Sequence, residues 1–344
     1  MKETMRIFFL DAGRKYFSTT AICSILDSMG RAGFTHLILY LSDNQGFRIR
    51  LSDMTLKTAY GTYDLTPALG DGYSDGIMVP DGSDSYLTES DIETIMAYAS
   101  AKGIELIPSI NVPGHMGAIL EQFPHLRCLG SRSSIDLTNQ EAVDFAYTLL
   151  GKYAVYFAAI GCKHFHFGAD EYANDIGTMG FDRIYKDGVM REFVRFINRA
   201  AKIVKAQGMT PMCFNDGICY ANDTATYGAI DNDIIVCYWS CGWDGYDLST
   251  PATLTKAGFR LVNANSSFYW VLGRPDWQVS ADAAETFDVT VFNGGHVAES
   301  PAGSMLCLWC DRADTDGPDG GVAAAAAIAP VIEAFGKRTG IQIA

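Results

Sequence analysis

The sequence is poor in basic residues, with 26 Lys and Arg against 40 Asp and Glu and a formal charge of −14. Surfaces that bind nucleic acid or anionic lipid need an excess of positive charge. The composition therefore argues against both, and we expect neither a nucleic acid nor a membrane among the partners. Oligomeric state leaves no signal in the sequence.

The sequence also lacks the paired cysteines and the signal peptide of small secreted domains, and the cysteine spacing of domains stabilised by a metal ion. The nine cysteines are an odd number, and the CxxC pair Cys307 and Cys310 has no second pair at metal-binding spacing. The apolar run at residues 7–10 is too short for the core of a signal peptide, and no small-residue cleavage site follows it. We therefore expect reduced thiols, a cytoplasmic location and no metal or other cofactor.

Apolar runs of strand length alternate with helical patterns along the chain, and no change in composition marks a linker. The runs cover residues 6–12, 36–41, 105–110, 163–167, 210–214, 234–238, 260–263 and 304–309. Eight strands alternating with helices are typical of a (β/α)8 barrel, and 344 residues with 48% hydrophobic content suffice for its core. We predict an α/β fold consisting of a single (β/α)8 TIM barrel over residues 1–344.

Helical spacing and capping residues mark the helices between these strands. Apolar residues recur three or four apart at 22–29, 92–99 and 143–150. Thr88 with Asp91, and Thr138 with Glu141, predict the amino-terminal caps of the second and third of these helices. Residues 43–86 are rich in Gly, Asp, Ser and Thr and fit no barrel helix, so we predict a long functional loop after strand 2.

Polar and aromatic residues follow the predicted strands at their carboxyl ends, where barrels bind ligands. In chain order these residues are Asp11, Arg14, Asp43, Asn111, His115, Asp170, Glu171, Asp216, Trp239, the segment 263–270, Trp309 and Asp311. Each alone has a commoner structural role as a surface cation, a turn former or a core aromatic. Together on one face of a barrel they predict an active site.

Carboxylates, an arginine and several tryptophans in one site fit a sugar ligand. Sugar rings have apolar faces that stack on Trp and hydroxyls that hydrogen-bond to Arg and carboxylates. A metal site is disfavoured because the candidate residues lack HExxH spacing. Those candidates are His115, His164, His166, Asp170 and Glu171. A phosphate site is disfavoured because no glycine-rich turn precedes a helix in the last two units.

Five separated segments resemble glycoside hydrolase family 20, the β-N-acetylhexosaminidases. They are residues 9–18, 41–49, 108–115, 166–171 and 309–311, and the His-x-Gly-x-Asp-Glu signature at 166–171 is the most specific. The resemblance implies a barrel, often preceded in the family by a small α/β domain that these residues do not include. It also implies exo-acting hydrolysis of terminal β-linked N-acetylglucosamine or N-acetylgalactosamine from an oligosaccharide or glycoconjugate.

The mechanism implied by the resemblance takes its nucleophile from the substrate. Ordinary retaining glycosidases place two carboxyl groups roughly 5 Å apart across the scissile bond, which adjacent residues cannot easily do. In the family the 2-acetamido carbonyl attacks the anomeric carbon instead. By resemblance Glu171 is the general acid and then the base, and Asp170 orients the acetamido nitrogen.

The resemblance assigns supporting roles to residues around this pair. Asp43 and His115 correspond to a relay behind the general acid, and Tyr269 to the hydroxyl donor to the acetamido oxygen. Arg14 corresponds to the arginine that binds the C3 and C4 hydroxyls, and Asp311 to a carboxylate for the C4 and C6 hydroxyls. The residues expected to bind substrate are Arg14, Trp239, Trp270, Trp309, Asp311, His166, Asn111 and Asp216.

The sequence departs from the family pattern at Ala169, Asn111 and Asp311, where Gly, Asp and Glu are common. An amide at Asn111 can hydrogen-bond to Asp170 but cannot repel it, which changes the tuning of Asp170. Two hypotheses follow. The first is a β-N-acetylhexosaminidase, or within enzymes a lacto-N-biosidase that releases a disaccharide; the second is a barrel that binds an N-acetylated sugar without hydrolysing it.

Overall fold

The computed structural model describes residues 4–176, 180–297 and 301–343, with side chains to residue 340. Eight parallel strands form its central sheet: β1 Met5–Asp11, β2 His36–Tyr40, β3 Glu105–Ser109, β4 His164–His166, β5 Thr210–Phe214, β6 Ile235–Tyr238, β7 Arg260–Asn263 and β8 Gly303–Trp309. Strand β1 pairs with both β2 and β8, so the sheet closes into a barrel. The predicted (β/α)8 fold is confirmed, with the bounds of β5 and β7 as predicted.

Helices surround the barrel. They are α1 Thr19–Ala32, α2 Glu89–Ser100, α3 Gly117–Leu120, α4 Gln140–Ala159, α5 Gly180–Lys186, α6 Met190–Lys205, α7 Pro251–Lys256, α8 Ala281–Ala284 and α9 Val322–Ile343. Within the described ranges, none of these helices is both long enough and apolar enough to cross a bilayer.

The capping residues of two helices test the sequence predictions directly. The Thr88 side chain accepts a hydrogen bond from the Asp91 amide, and the Asp91 carboxylate accepts one from the Thr88 amide, so this predicted cap is confirmed. The predicted amino-terminal cap of α4, Thr138, was wrong by one residue. Asn139 caps that helix by accepting from the Glu141 amide at 3.0 Å, because the Thr138 hydroxyl is engaged by Asp136 at 2.7 Å.

Side chains of the strands alternate between the barrel interior and the surrounding helices. In β1, Ile7 and Phe9 point inward, whereas Phe8 and Leu10 join the core beneath the helices. At the carboxyl end, the Phe9 ring lies 4.4 Å from the Trp309 ring, measured between centroids. Packed aromatic rings therefore form a rigid floor for the site above them.

The segment after β2 follows the predicted position of the long loop but is not irregular. It contains short antiparallel ribbons, Gly46–Phe47 with Gly70–Asp71 and Thr55–Lys57 with Thr62–Asp64. The buried Arg48 side chain holds the segment through an ion pair with Asp81 at 3.3 Å and a hydrogen bond to the Ser85 carbonyl at 2.9 Å. These contacts bring residues near 78 to the carboxyl end of the barrel.

Candidate active site

A cavity of about 230 Å³ opens at the carboxyl end of the barrel. The predicted site residues that line it are Arg14, Asp170, Glu171, Trp239, Tyr269, Trp309 and Asp311. Met78, from the long segment after β2, lines it as well. Seven of the residues predicted from the strand ends and the loops that follow them therefore line one cavity.

The backbone around Asp170 and Glu171 adopts an uncommon conformation. Ala169 and Glu171 have φ values of 67° and 43°, in the left-handed region that residues other than glycine rarely occupy. The Ala169 amide donates to the Asn111 side-chain oxygen at 3.0 Å, which holds the turn. Gly168 is required there, because a Cβ atom would lie 1.9 Å from that oxygen. Backbone strain of this kind concentrates at functional sites.

Asp170 is buried and held from behind by two side chains. Its Oδ1 atom accepts a hydrogen bond from Asn111 Nδ2 at 2.9 Å, and its Oδ2 atom lies 3.6 Å from His115 Nε2. Burial raises the pKa of Asp170, and the His115 charge opposes this. Asn111 was predicted to bind substrate. It lies behind Asp170 instead, where its amide also donates to the Tyr40 hydroxyl at 2.9 Å.

His115 connects Asp170 and Glu171 to another buried carboxylate, that of Asp43. Its Nδ1 atom lies 3.3 Å from Asp43 Oδ1, and its Nε2 atom lies 3.4 Å from Glu171 Oε2. Burial lowers the pKa of His115, but Asp43 and then Asp170 raise it well above its usual value. These carboxylates therefore favour the protonated form of His115, whose ring lies between Asp43 and Glu171.

Arg14 is fixed by buried partners at the edge of the cavity. Its Nη1 and Nη2 atoms each lie 3.0 Å from a carboxylate oxygen, of Asp11 and Asp43 respectively. Burial would raise the pKa of Asp43, but Arg14 and then His115 lower it to about 2. Because Nε donates to Gln45 at 3.4 Å and a guanidinium has five N–H donors, two N–H groups of Arg14 remain for a ligand.

Asp311 is paired with an arginine that the sequence analysis missed. Arg274 Nε lies 2.6 Å from Asp311 Oδ2, and both side chains line the cavity. Burial raises the pKa of Asp311, and the charges of Arg14 and Arg274 oppose this. Arg274 lies in the loop beyond β7, eleven residues after that strand ends at Asn263, so a search limited to strand ends could not find it.

Aromatic side chains form the walls. The rings of Trp239 and Tyr269 are nearly parallel at 13° with centroids 6.5 Å apart. The Tyr269 hydroxyl and Trp309 Nε1 are buried close to each other, and the hydroxyl also lies near Cys307. Neither group forms a well-aligned hydrogen bond within the described residues, so both can donate to a ligand. Trp243 and Trp277 line the mouth and are 42% and 60% exposed. Both were missed because they lie in short elements between the barrel strands and not at the end of one.

Trp270 was predicted as an aromatic wall, and the structure corrects this. It belongs to the short strand Trp270–Val271 beside β8, where successive side chains point to opposite faces. Val271 lines the cavity, whereas Trp270 packs in the core beneath the helices.

His166 and Asp216 were predicted to bind substrate, but both lie behind the cavity wall. His166 is in the barrel interior, where Nδ1 lies 2.9 Å from Ser109 Oγ and burial lowers its pKa to about 3. Asp216 accepts hydrogen bonds from Trp239 Nε1 at 2.6 Å and from the Glu171 amide at 3.2 Å. Burial, followed by the charges of Asp170 and Glu171, raises the Asp216 pKa to about 8. Both residues therefore support the cavity wall from behind, Asp216 through Trp239 and the Glu171 amide and His166 through the Gly168 amide.

The sequence matches the model of the glycosyl hydrolase family 20 catalytic domain over residues 4–293. It is 31% identical over 251 residues to a lacto-N-biosidase of Bifidobacterium bifidum, covering 66% of this chain and 21% of that protein. It is 25% identical over 333 residues to β-hexosaminidase subunit A1 of Dictyostelium discoideum, covering 89% of this chain and 54% of that one. The chain thus spans from about a fifth to about half of the length of these relatives.

Solved structures agree with the sequence comparisons. A catalytic module of the pneumococcal exo-β-D-N-acetylglucosaminidase StrH superposes with a TM-score of 0.84 at 29% identity, covering 97% of this chain and 83% of that one. Dispersin B superposes with a TM-score of 0.73 at 22% identity, covering 98% of this chain and 100% of that one, which supports the fold alone.

Proposed function

The chain belongs to glycosyl hydrolase family 20, and we propose that it removes terminal β-linked N-acetylglucosamine or N-acetylgalactosamine by substrate-assisted retaining catalysis. The observation that carries this proposal is the adjacent pair Asp170 and Glu171 on the wall of the cavity, with His115 Nε2 3.6 Å from the first carboxylate and 3.4 Å from the second.

The other carboxylate that lines the cavity is engaged elsewhere. Asp311 lies in an ion pair with Arg274 at 2.6 Å, which disfavours its use as a nucleophile. An enzyme-borne nucleophile would have to face the acid across the scissile bond, roughly 5 Å away. Asp170 instead follows the same strand as Glu171 and is held by Asn111. A nucleophile from the substrate's own acetamido group fits this arrangement.

The reaction then proceeds in two steps. In the first, the acetamido carbonyl oxygen bonds to the anomeric carbon as the glycosidic bond breaks, and Glu171 gives its proton to the leaving oxygen. Positive charge develops on the acetamido nitrogen, next to the Asp170 carboxylate. The new bond closes an oxazolinium ring on the substrate. In the second step Glu171 takes a proton from water while the water oxygen bonds to the anomeric carbon and the bond from the acetamido oxygen to that carbon breaks, which opens the ring with overall retention.

The remaining lining residues supply binding contacts. The two unengaged N–H groups of Arg14 suit neighbouring hydroxyls of the terminal sugar. The buried Tyr269 hydroxyl, which forms no well-aligned hydrogen bond within the described residues, suits the acetamido oxygen. Trp309, which lines the cavity beside Arg14, supplies a ring face for the sugar.

Release of a disaccharide is a second candidate, favoured by the 31% identity to a lacto-N-biosidase. Both activities share the chemistry at Asp170 and Glu171 and differ in whether a second sugar fits beyond the terminal position. Substrate comparison distinguishes them.

The test measures hydrolysis of chromogenic β-glycosides of N-acetylglucosamine, N-acetylgalactosamine and lacto-N-biose. Turnover of either monosaccharide derivative, with tight inhibition by the cyclic thiazoline analogue of N-acetylglucosamine, is the expected result, because the analogue mimics the intermediate. Turnover of the lacto-N-bioside alone would favour the disaccharide activity. Thiazoline binding without turnover of any substrate would indicate a barrel that only binds the sugar.

A further inference from the structure

The geometry points to a divalent-cation site of the zinc class at the amino-terminal end of the barrel, formed by His36, Glu105 and His164. These residues begin β2, β3 and β4, three neighbouring strands. His36 and Glu105 are paired in register. Ile38 and Ile107, two residues further along, lie in the interior core, so the side chains that begin the strands share that interior face.

The three side chains bring ligand atoms together. One nitrogen or oxygen from each lies within 4.8 Å of the others. His164 Nδ1 is 2.6 Å from Glu105 Oε1, and His36 Nε2 is 3.8 Å from Glu105 Oε2. Tetrahedral zinc with bonds near 2.1 Å separates its ligand atoms by about 3.4 Å, between these two distances. Across residues 4–176, 180–297 and 301–343, no other trio of His, Cys, Asp or Glu is this close.

A neighbouring hydroxyl orients His36 toward the carboxylate. Thr35 Oγ1 lies 2.7 Å from His36 Nδ1, and 3.3 Å from the Arg6 carbonyl oxygen to which it donates. The hydroxyl oxygen can therefore accept a hydrogen bond from the Nδ1–H group of His36, which leaves the Nε2 lone pair directed at Glu105. Histidines that bind metals usually fix their other ring nitrogen in this way. Two acceptor atoms then face each other 3.8 Å apart, and a cation between them would bind both.

A second cavity reaches two of the three residues of the cluster, His36 and Glu105. It has a volume of about 330 Å³ and is lined by Thr35, His36, Glu105, Cys162 and Lys163, among others. A water molecule from this cavity can complete a tetrahedral shell of two imidazoles and one carboxylate. Binding replaces the hydrogen bond between His164 and Glu105 and releases the proton from Nδ1 of His164.

The site would act on stability and not on the reaction. It ties three strands together at their first residues, whereas the candidate active site lies beyond their last residues. Four residues of strand, from His36 to Tyr40, separate the two levels by about 13 Å. An ion that binds only the folded chain raises its melting temperature, by an amount that grows with the logarithm of the ion concentration divided by its Kd.

The test strips the full chain with a chelator, reloads it with Zn²⁺ or Co²⁺, removes free ion and measures bound metal and melting temperature. We expect one ion per chain, a higher melting temperature and a tetrahedral Co²⁺ absorption spectrum. Thr35→Val removes a hydrogen bond to a metal ligand and should weaken metal binding by roughly 10–100-fold. His36→Asn and Glu105→Gln each remove a metal ligand and should weaken metal binding by more than that.

Two variants serve as controls. Lys163→Ala changes the same cavity without removing a ligand, and His125→Ala removes an exposed histidine 3.4 Å from Glu141 that has no second imidazole beside it. Both should keep wild-type metal content, and near-ultraviolet circular dichroism verifies the fold of each variant. The site is refuted if the wild-type chain retains no ion, if both ligand variants bind as tightly as wild type, or if the Co²⁺ spectrum shows a thiolate charge-transfer band.

Discussion

Glu171 is the residue whose replacement most directly tests the assignment of the general acid. Glu171→Gln should abolish hydrolysis of natural glycans but keep appreciable activity on substrates with very acidic leaving groups, since those depart without protonation. The measurement compares kcat/KM for an oligosaccharide and an activated aryl glycoside. Equal losses on both substrates would contradict the assignment.

Asp170 distinguishes the substrate-assisted mechanism from a two-carboxylate one. Asp170→Asn should slow turnover about a hundredfold or more, on the order of 3 kcal/mol, because a neutral amide cannot offset the charge that develops on the acetamido nitrogen. The defect should persist with an activated leaving group, unlike that of Glu171→Gln.

Azide provides the control for Asp170→Asn. A variant that has lost its own nucleophile is rescued by azide and yields a glycosyl azide of inverted configuration, whereas here the acetamido nucleophile is still present. Strong rescue with an inverted product would mean that Asp170 attacks carbon directly.

The charge of His115 depends on Asp43, which lies 3.3 Å from it. The folded-state pKa of His115 is raised, so its stabilising contribution is complete below the unfolded value near 6.5 and is lost as pH rises through the folded pKa. Asp43→Asn removes a main cause of that shift and should lower the His115 pKa. The basic limb of the pH dependence of kcat/KM should move to lower pH with it.

Nuclear magnetic resonance titration of the histidine ring protons measures this shift directly. The exposed His125 serves as an internal reference, since it lies beside Glu141 and does not contact Asp43. An unchanged His115 titration in Asp43→Asn would show that Asp170 alone maintains the charge.

At the level of secondary structure, the start of α4 offers a matched pair of neighbouring residues. Asn139 accepts the Glu141 amide, so Asn139→Ala should lower the free energy of unfolding by about 1 kcal/mol. Thr138→Ala leaves that cap intact and should lower the free energy of unfolding by less than Asn139→Ala does. Urea denaturation of both variants measures the difference; a larger loss for Thr138→Ala would support the cap that the sequence suggested.

Elements also determine which predicted side chains reach the cavity. The positions of the strands could be predicted from the apolar runs in the sequence, and the predicted bounds of β5 and β7 match the structure. For Trp270–Val271, the sequence does not show which of the two side chains points into the cavity, because the pairing of this short strand with β8 decides that. Trp270 consequently packs in the core, and its neighbour Val271 lines the cavity.

For the molecule as a whole, stability depends on closure of the barrel by β8. The family match ends at residue 293, whereas β8 comprises Gly303–Trp309 and pairs with both β1 and β7. A chain ending at residue 297 would leave two open strand edges and should aggregate or unfold without cooperativity. Thermal unfolding followed by near-ultraviolet circular dichroism, with the full chain as the control, tests this. Cooperative unfolding of the shortened chain at the same temperature would contradict it.

The sequence alone determined the order of strands and helices, the cap at Thr88 and the adjacency of Asp170 and Glu171. These features depend on residues close together in the chain, through side-chain period, local hydrogen bonding and peptide connectivity. For the same reason, the general position of the site at the carboxyl ends of the strands could be predicted.

Only the tertiary structure decided which of those residues face the cavity and which lie behind it. Asn111 and Asp216 support the wall because the left-handed turn at Ala169 and Glu171 directs the backbone against them. Arg274 reaches Asp311 from a separate loop. His36, Glu105 and His164 meet because barrel closure aligns the first residues of three strands, and that register depends on contacts between residues far apart in sequence.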